Sequence, residues 1–323
     1  MSTRPAAGRW LLLFLLVTAG LSGCGRPPVR HYLSPELEAG LTRYSDLPAR
    51  LVELVDSARE EVLVATYEAQ LPSVLTALDQ ARRRGVSVRM LQDDATLGDT
   101  GFFGPVTTDR NRYLMHAKFM VVDRRTVWIG SANLTFSSVY RNDNDYLIIR
   151  SSGLADYLAG AFQLMLDGRV PGRPFQDAAG LRPDCRVYLN PWCRAALLEE
   201  LTAARRHIFF SLYALTDPEV IRLLGARSAA GVRVEGILER DWPMNRAAYE
   251  KLRRSGVDVR WDGNPNLNHY KLFVIDRARV VTGSYNPTRT APKNQEVMAV
   301  FPDSGLAGFY LRNLAFGWGE PRP

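Results

Sequence analysis

The chain is 323 residues long, 46% hydrophobic and carries a formal charge of +7. That is enough material for one large domain or two fused domains, and the basic excess, nearly all arginine, suits an anionic partner such as nucleic acid or anionic lipid; a solvated surface is the other reading. The composition excludes the dense basic tract of a dedicated DNA-binding protein, and there is no glycine-rich phosphate loop, zinc knuckle or low-complexity tract.

In chain order, residues 1–23 read as an export signal. Arg4 and Arg9 precede the apolar run Trp10 to Ala19, which is too short to cross a membrane as a helix. The run ends in Leu21-Ser22-Gly23-Cys24, which looks like a lipobox. Cleavage before Cys24 would leave that cysteine as the lipid-bearing first residue, with residues 24–46, including His31, as a tether. An ordinary cleaved signal with a chance cysteine is the alternative. Loss of Arg4 and Arg9 would lower the formal charge from +7 to +5. Gly25 follows without a retention aspartate, so the expectation is an exported cell-envelope lipoprotein, in the outer membrane if the organism is Gram-negative.

Beyond residue 46 the chain repeats itself. Helical periodicity is predicted over Leu47 to Ala58 and Ser73 to Arg84, and again over Arg194 to Arg205 and Glu219 to Ala229. Gly85 and Gly231 fit helix C-termini. The strand-like runs Glu61-Val-Leu-Val-Ala-Thr-Tyr67 and His207-Ile-Phe-Phe-Ser-Leu-Tyr213 correspond at an offset of 146 residues. His207 opens an apolar strand and reads as an edge or core histidine. The second copy has an additional helix and strand, Arg246 to Arg253 and Val257 to Trp261. The first has a glycine-rich loop, Leu97 to Pro105, instead. Its Phe102, Phe103 and Pro105 either line a site entrance or tuck inward on a surface loop. The segments are therefore a first repeat at 47–168, a linker at 169–184 and a second repeat at 185–318. Cys185 and Cys193 bracket a short strand and an Asn-Pro turn. With Cys24 assigned to lipid they form a possible disulfide or remain two buried free thiols.

The chemistry sits in one pattern written twice. His116-Ala-Lys118 is followed by Asp123, Gly130 and Asn133; His269-Tyr-Lys271 is followed by Asp276, Gly283 and Asn286. All internal spacings match, in a chain with only four histidines and four lysines. Strand-like runs Tyr113 to Val122 and Asn268 to Ile275 would put each His and Lys on one face. Asp123 and Asp276 have the opposite parity and begin polar turns, so they look structural. Ser131, Asn133, Ser284 and Asn286 follow the next strand and could aim hydroxyls and amides at one spot. Two imidazoles, two ammonium groups and neutral donors suit a phosphodiester. A lysine two residues from each histidine argues against a metal.

These motifs, with the flanks Gly130-Ser-Ala-Asn-Leu-Thr135 and Gly283-Ser-Tyr-Asn-Pro-Thr288, resemble the phospholipase D superfamily, whose HxKxxxxD signature occurs twice per active site. The resemblance covers residues 47 to 318. It implies an α/β fold of two fused phospholipase D-like repeats, each a mixed β-sheet flanked by helices, packed as a pseudo-dimer within a monomer. It also implies catalysis without cofactor or metal through a phosphohistidine, with His116 as nucleophile and His269 as general acid and base. Asp123 and Asp276 count with the catalytic motif by the resemblance. Glu296 lies near the position of a histidine-orienting glutamate, and Asn144, beside Asp145, fits the matching position after the first motif; both are grouped with the substrate-binding set. The expected activity is phosphodiester hydrolysis, of phospholipid by the membrane location. A tethered endonuclease is the alternative, and phosphatidyl transfer or non-catalytic binding of anionic polymers the remaining readings.

Overall fold

The computed structural model describes residues 31–97, 104–108, 112–169, 171–176 and 185–314. The leader, Cys24, Phe102 and Phe103 lie outside them. The first half comprises β1 (His31–Ser34), β2 (Leu37–Leu41), α1 (Leu47–Ser57), β3 (Glu61–Thr66), α2 (Pro72–Arg83), β4 (Ser87–Gln92), β5 (Val106–Thr108), β6 (Phe119–Val122), β7 (Thr126–Gly130), α3 (Phe136–Tyr140), β8 (Asp145–Arg150) and α4 (Ser152–Leu166). The second comprises β9 (Phe175–Gln176), β10 (Arg186–Leu189), α5 (Trp192–Ala203), β11 (His207–Leu212), α6 (Pro218–Ala229), β12 (Arg233–Leu238), α7 (Asn245–Arg254), β13 (Asp258–Trp261), β14 (Lys271–Ile275), β15 (Arg279–Gly283), β16 (Val297–Phe301) and α8 (Ser304–Leu314).

Each half is one mixed eight-stranded sheet, in the orders β1-β2-β8-β7-β6-β3-β4-β5 and β13-β12-β11-β14-β15-β16-β10-β9. Strand alternation divides the apolar residues between two faces. In β3, Val62 and Val64 pack outward with α1 and α2, while Leu63 and Ala65 face a central core. The matching outer core of the second half lies under α5, α6 and α7. The central core draws on both sheets and on α4 and α8, so the order of layers is helix, sheet, helix, sheet, helix. The two fused mixed-sheet repeats expected from the sequence are present.

Several boundaries differ from the sequence reading. Residues 31–46 are not tether: β2 is wholly buried and pairs antiparallel with β8. Its Gly40 is needed because a Cβ there would stand 2.2 Å from the Tyr146 ring. Glu38 inside this strand is buried against Arg50, with Oε2 to Nε at 2.9 Å, which breaks the apolar pattern that would have marked a strand. Part of the linker forms β9, and the loop replacing the second half's extra helix ends in the edge strand β5, where Pro105 is exposed. Cys185 and Cys193 are buried thiols that no disulfide joins. His207 is buried and bonded to Glu235 at 2.9 Å, a structural histidine.

The motif aspartates anchor the hairpin turns and are not in the cleft lining. Asp123-Arg124 and Asp276-Arg277 all have positive φ, from 49° to 56°, the conformation of a type I′ hairpin turn. The Asp123 carboxylate accepts from the backbone N–H groups of Arg59, Glu60 and Glu61. Asp276 accepts from Arg205, Arg206 and His207. Burial raises each carboxyl's pKa, but the three N–H donors together outweigh it and leave the net shift downward. This stabilisation is therefore present above about pH 4 and is lost as pH falls through the depressed value. Asp123→Ala is expected to cost about 1–2 kcal/mol, discounted because the donors are near solvent, and to lower Tm by a few degrees. Turnover of the folded variant should match the parent; lost turnover at unchanged Tm would return Asp123 to the active site.

Candidate active site

The ends of β3 and β11 and the starts of β6 and β14 meet at one edge of the central layer. There a cleft of about 870 Å³ is lined by His116 and His269 together. Neither histidine lies on regular strand, because β6 starts at Phe119 and β14 at Lys271. The preceding residues instead run across to the opposite half. The His116 N–H donates to the carbonyl of Gln295 at 2.9 Å, and the His269 N–H to that of Asp143 at 2.8 Å. Bridges Met115 with Gln295 and Asp143 with Asn268 complete the exchange. Buried acids hold the residue before each histidine: Asp93 accepts from the Met115 N–H at 2.7 Å and Glu239 from the Asn268 N–H at 2.5 Å.

The side chains cross in the same way. His116 Nδ1 lies 2.9 Å from Oε2 of Glu296, which the second half contributes. Asn294 and Ser284 also donate to that carboxylate. His269 Nδ1 lies 2.9 Å from Oδ1 of Asn144, which the first half contributes. The amide is fixed because Ser131 donates to Oδ1 at 2.9 Å while Nδ2 donates to the Ser138 carbonyl at 2.8 Å. Both orienting atoms are acceptors, so each histidine carries its proton on Nδ1 and leaves Nε2 to the cleft. Glu296 and Asn144 therefore hold the histidines, Ser284 and Ser131 hold them in turn, and none of the four is in the cleft lining. Asn133 and Asn286 do line the cleft, each with a buried Oδ1 that has no partner among the described residues.

Lys118 and Lys271 point back along their strands. Their Nζ atoms donate to the carbonyls of His116 and His269, at 2.6 and 2.7 Å. Burial pushes Lys118 down to about 7, against the pull of Glu296 and Asp93. Burial and the neighbouring Lys118 push Lys271 well below its ordinary value. The His116 pKa is lowered by burial, with Glu296 opposing. His269 falls well below, through burial and the two lysines, with no carboxylate on its ring. The site is thus short of negative charge, which suits an anionic ligand.

Tyr67 and Tyr213, absent from the sequence-derived set, sit edge-on to the histidines at 5.7 and 4.8 Å and face the lysine Nζ atoms at 5.6 and 5.0 Å. Their signal was in the repeat, since both copies of the β3/β11 run end in tyrosine. Asp145 is fully buried at the junction of the halves, bonded by Tyr310 at 2.7 Å and by Thr282. It is not the partner of His269. One wall of the cleft is apolar and comes from the second half: Leu215, Ile221, Trp242, Met244 and Ala247. Pro105 is not part of the lining.

The asymmetry between Glu296 and Asn144 has a measurable consequence. Asn144→Asp places a carboxylate against His269 Nδ1, which stabilises the imidazolium and raises its pKa. The protonated form then persists to higher pH. The alkaline limb of the kcat/KM profile should move up by about one pH unit. An unchanged profile would show that His269 does not deliver the limiting proton.

Comparisons with known proteins agree with this arrangement. The family described as "Cardiolipin synthase, PLD-like domain" matches residues 51–166 and, a second time, 197–315. A phospholipase D of Rickettsia bellii is 32% identical over 123 residues, covering 38% of this chain and 61% of that protein. The mitochondrial cardiolipin hydrolase of Homo sapiens is 29% identical over 157 residues, covering 48% of this chain and 62% of that one. The chain thus spans about three-fifths of the length of these relatives. Among solved structures, phosphatidylserine synthase of Haemophilus influenzae superposes with a TM-score of 0.66 at 16% identity, covering 88% of this chain and 87% of the other. Polyphosphate kinase of Porphyromonas gingivalis gives 0.64 at 15% identity, covering 88% of this chain and 51% of the other. At these identities the likeness is one of fold.

Proposed function

Because the chain belongs to the phospholipase D-like family, we propose that it is a metal-independent phosphodiesterase that hydrolyses phospholipids through a phosphohistidine. The observation that carries the proposal is the crossed pairing of His116 with Glu296 and His269 with Asn144 over one cleft. His116 Nε2, unprotonated and held by Glu296, attacks phosphorus. The bond from phosphorus to the leaving oxygen breaks, and that oxygen takes the Nε2 proton of His269, whose ring is imidazolium once the anionic substrate is bound and keeps its Nδ1 proton on Asn144. Water then attacks the phosphohistidine and gives a proton to His269, while the N–P electron pair returns to His116. Lys118, Lys271, Asn133 and Asn286 surround the non-bridging oxygens, and their donors stabilise charge there as it redistributes.

The apolar wall supports phospholipid among phosphodiesters. Leu215, Ile221 and Ala247 offer an acyl or glycerol segment a surface with no polar demand. The test uses the full chain in chelator, offered mixed phospholipid–detergent micelles and single-stranded DNA side by side, with His116→Ala as control. Head-group release is the expected result. DNA cleavage without head-group release would make the chain a nuclease, and loss of all turnover in chelator would overturn the metal-free mechanism.

A further inference from the structure

We propose that the cleft end of the molecule is a membrane-docking face that seats on a phospholipid bilayer, with Phe136 and Tyr140 at the level of the head groups. The inference rests on the phospholipid reading above and adds how the site reaches a substrate that stays in its bilayer.

The carrying observation is where the exposed large apolar side chains fall. Among the described residues there are eight, and every one lies at the end of the sheets that bears the cleft. Leu114, Trp242 and Met244 stand in the cleft lining itself. Phe136 and Tyr140 follow β7, which ends at the cleft, and Tyr44 follows β2, which ends beside the start of β8. Leu97 and Trp192 follow the cleft ends of β4 and β10. The far end, formed by the C-termini of α1, α2, α5, α6 and α7 and the turns at Asp123 and Asp276, has none of them. Isolated exposed apolar residues are ordinary; their confinement to one end, around an opening, marks a surface that meets something apolar.

A bilayer fits this surface better than a protein groove. The ring mixes aromatic with aliphatic side chains, and Trp and Tyr favour the boundary between head groups and hydrocarbon. Phe136 and Tyr140 are 56% and 55% exposed, and their rings pack at 4.9 Å, tilted by 47°, as a wedge on one face of α3. Cations stand beside the rings: Arg141 lies 5.5 Å from the centre of Phe136, and Lys293 lies 5.3 Å from that of Tyr113. A ring at head-group depth with a guanidinium alongside meets a lipid phosphate naturally. The exposed set meets the apolar wall of the cleft at Trp242 and Met244, which belong to both.

The test labels single positions in the full chain carrying Cys24→Ser, which removes the competing thiol; Cys185 and Cys193 are buried. An environment-sensitive fluorophore is placed on Phe136→Cys, and separately on Tyr140→Cys and, at the far end, on Arg83→Cys. Each is mixed with vesicles of phosphatidylethanolamine and phosphatidylglycerol, and then with single-stranded DNA. Emission at 136 and 140 should shift to the blue with vesicles and not with DNA, while the label at 83 stays unchanged. No shift at 136 and 140, or a shift at all three positions, overturns the docking face. A shift with DNA alone replaces the bilayer by a nucleic acid. As a second measure, the Phe136→Ser/Tyr140→Ser variant should hydrolyse vesicles roughly tenfold more slowly and short-chain monomeric phospholipid at the parent rate. Head-group release from micelles without a fluorescence shift would sink the docking and keep the function. A shift without head-group release would do the reverse.

Discussion

His116→Ala is expected to lower turnover by at least about 10⁴-fold while leaving the fold intact. The imidazole faces the cleft with its side chain 12% exposed, so truncation leaves a hydrated gap rather than a hole in the core. Tm should stay within a few degrees of the parent. The loss is large because no neighbour can take over the attack. Lys118 is tied to the carbonyl of residue 116, and His269 is held by Asn144 on the leaving-group side. Phosphate binding should survive, because both lysines and both cleft asparagines remain. A variant retaining a tenth of parental turnover would remove His116 as nucleophile.

Glu296→Gln is expected to damage activity and stability together. Glu296 is fully buried and accepts from His116, Ser284 and Asn294. Glutamine keeps the shape but offers its amide N–H₂ to the imidazole in one of its two orientations. That orientation puts the ring proton on Nε2 and removes the lone pair that attacks. Turnover should fall roughly 10²–10⁴-fold, the range for a wrong tautomer or a lost orienting group. The variant also loses the carboxylate that offsets Lys118 and Lys271. Removing one member of a buried charged set costs about 3–5 kcal/mol, and the lower end applies because Lys118, at about 7, can shed its proton.

The pH dependence of that cost has a definite sign. In the fold both lysine pKa values lie below the unfolded value, so between about 7 and about 10 the unfolded chain binds more protons and stability rises with pH. Glutamine at 296 lowers the folded values further and extends this window downward. The variant's Tm should therefore fall faster than the parent's between about pH 8 and about pH 6. Parallel Tm curves would show that Glu296 is not the counter-charge of the lysines.

Much of the site was legible because a duplicated motif fixes its own frame. The five shared positions of each copy mark both histidines and lysines, and the helix and strand order of each half follows from its periodicity. Spacing also located Glu296 and Asn144. What spacing could not tell is that each serves the histidine of the other half, since the crossing is made by tertiary contacts between Gln295 and His116 and between Asp143 and His269. Ser131 and Ser284 were grouped with the substrate donors, and the structure bonds them to Asn144 and Glu296, at a depth no linear pattern records. The strand β2 was missed because buried Glu38 and Gly40 disguise it as tether. β5 and β9 are too short to carry a period, and their pairing comes from the neighbouring strands. The docking ring was invisible in sequence because its members are scattered one or two per loop over residues 44 to 244 and gather only when the sheets form.

The most direct test of one site built by two unequal halves is to trap the intermediate in the His269→Ala chain. A phosphodiester with a p-nitrophenolate leaving group needs no acid, so attack by His116 can proceed while hydrolysis stalls for want of a base. Rapid quenching and peptide mapping should then find phosphorus on residue 116 in stoichiometric amount, stable to alkali and lost in acid, and none in the His116→Ala chain. Phosphorus on another residue, or a His269→Ala chain that releases p-nitrophenol steadily with no adduct, would contradict the account.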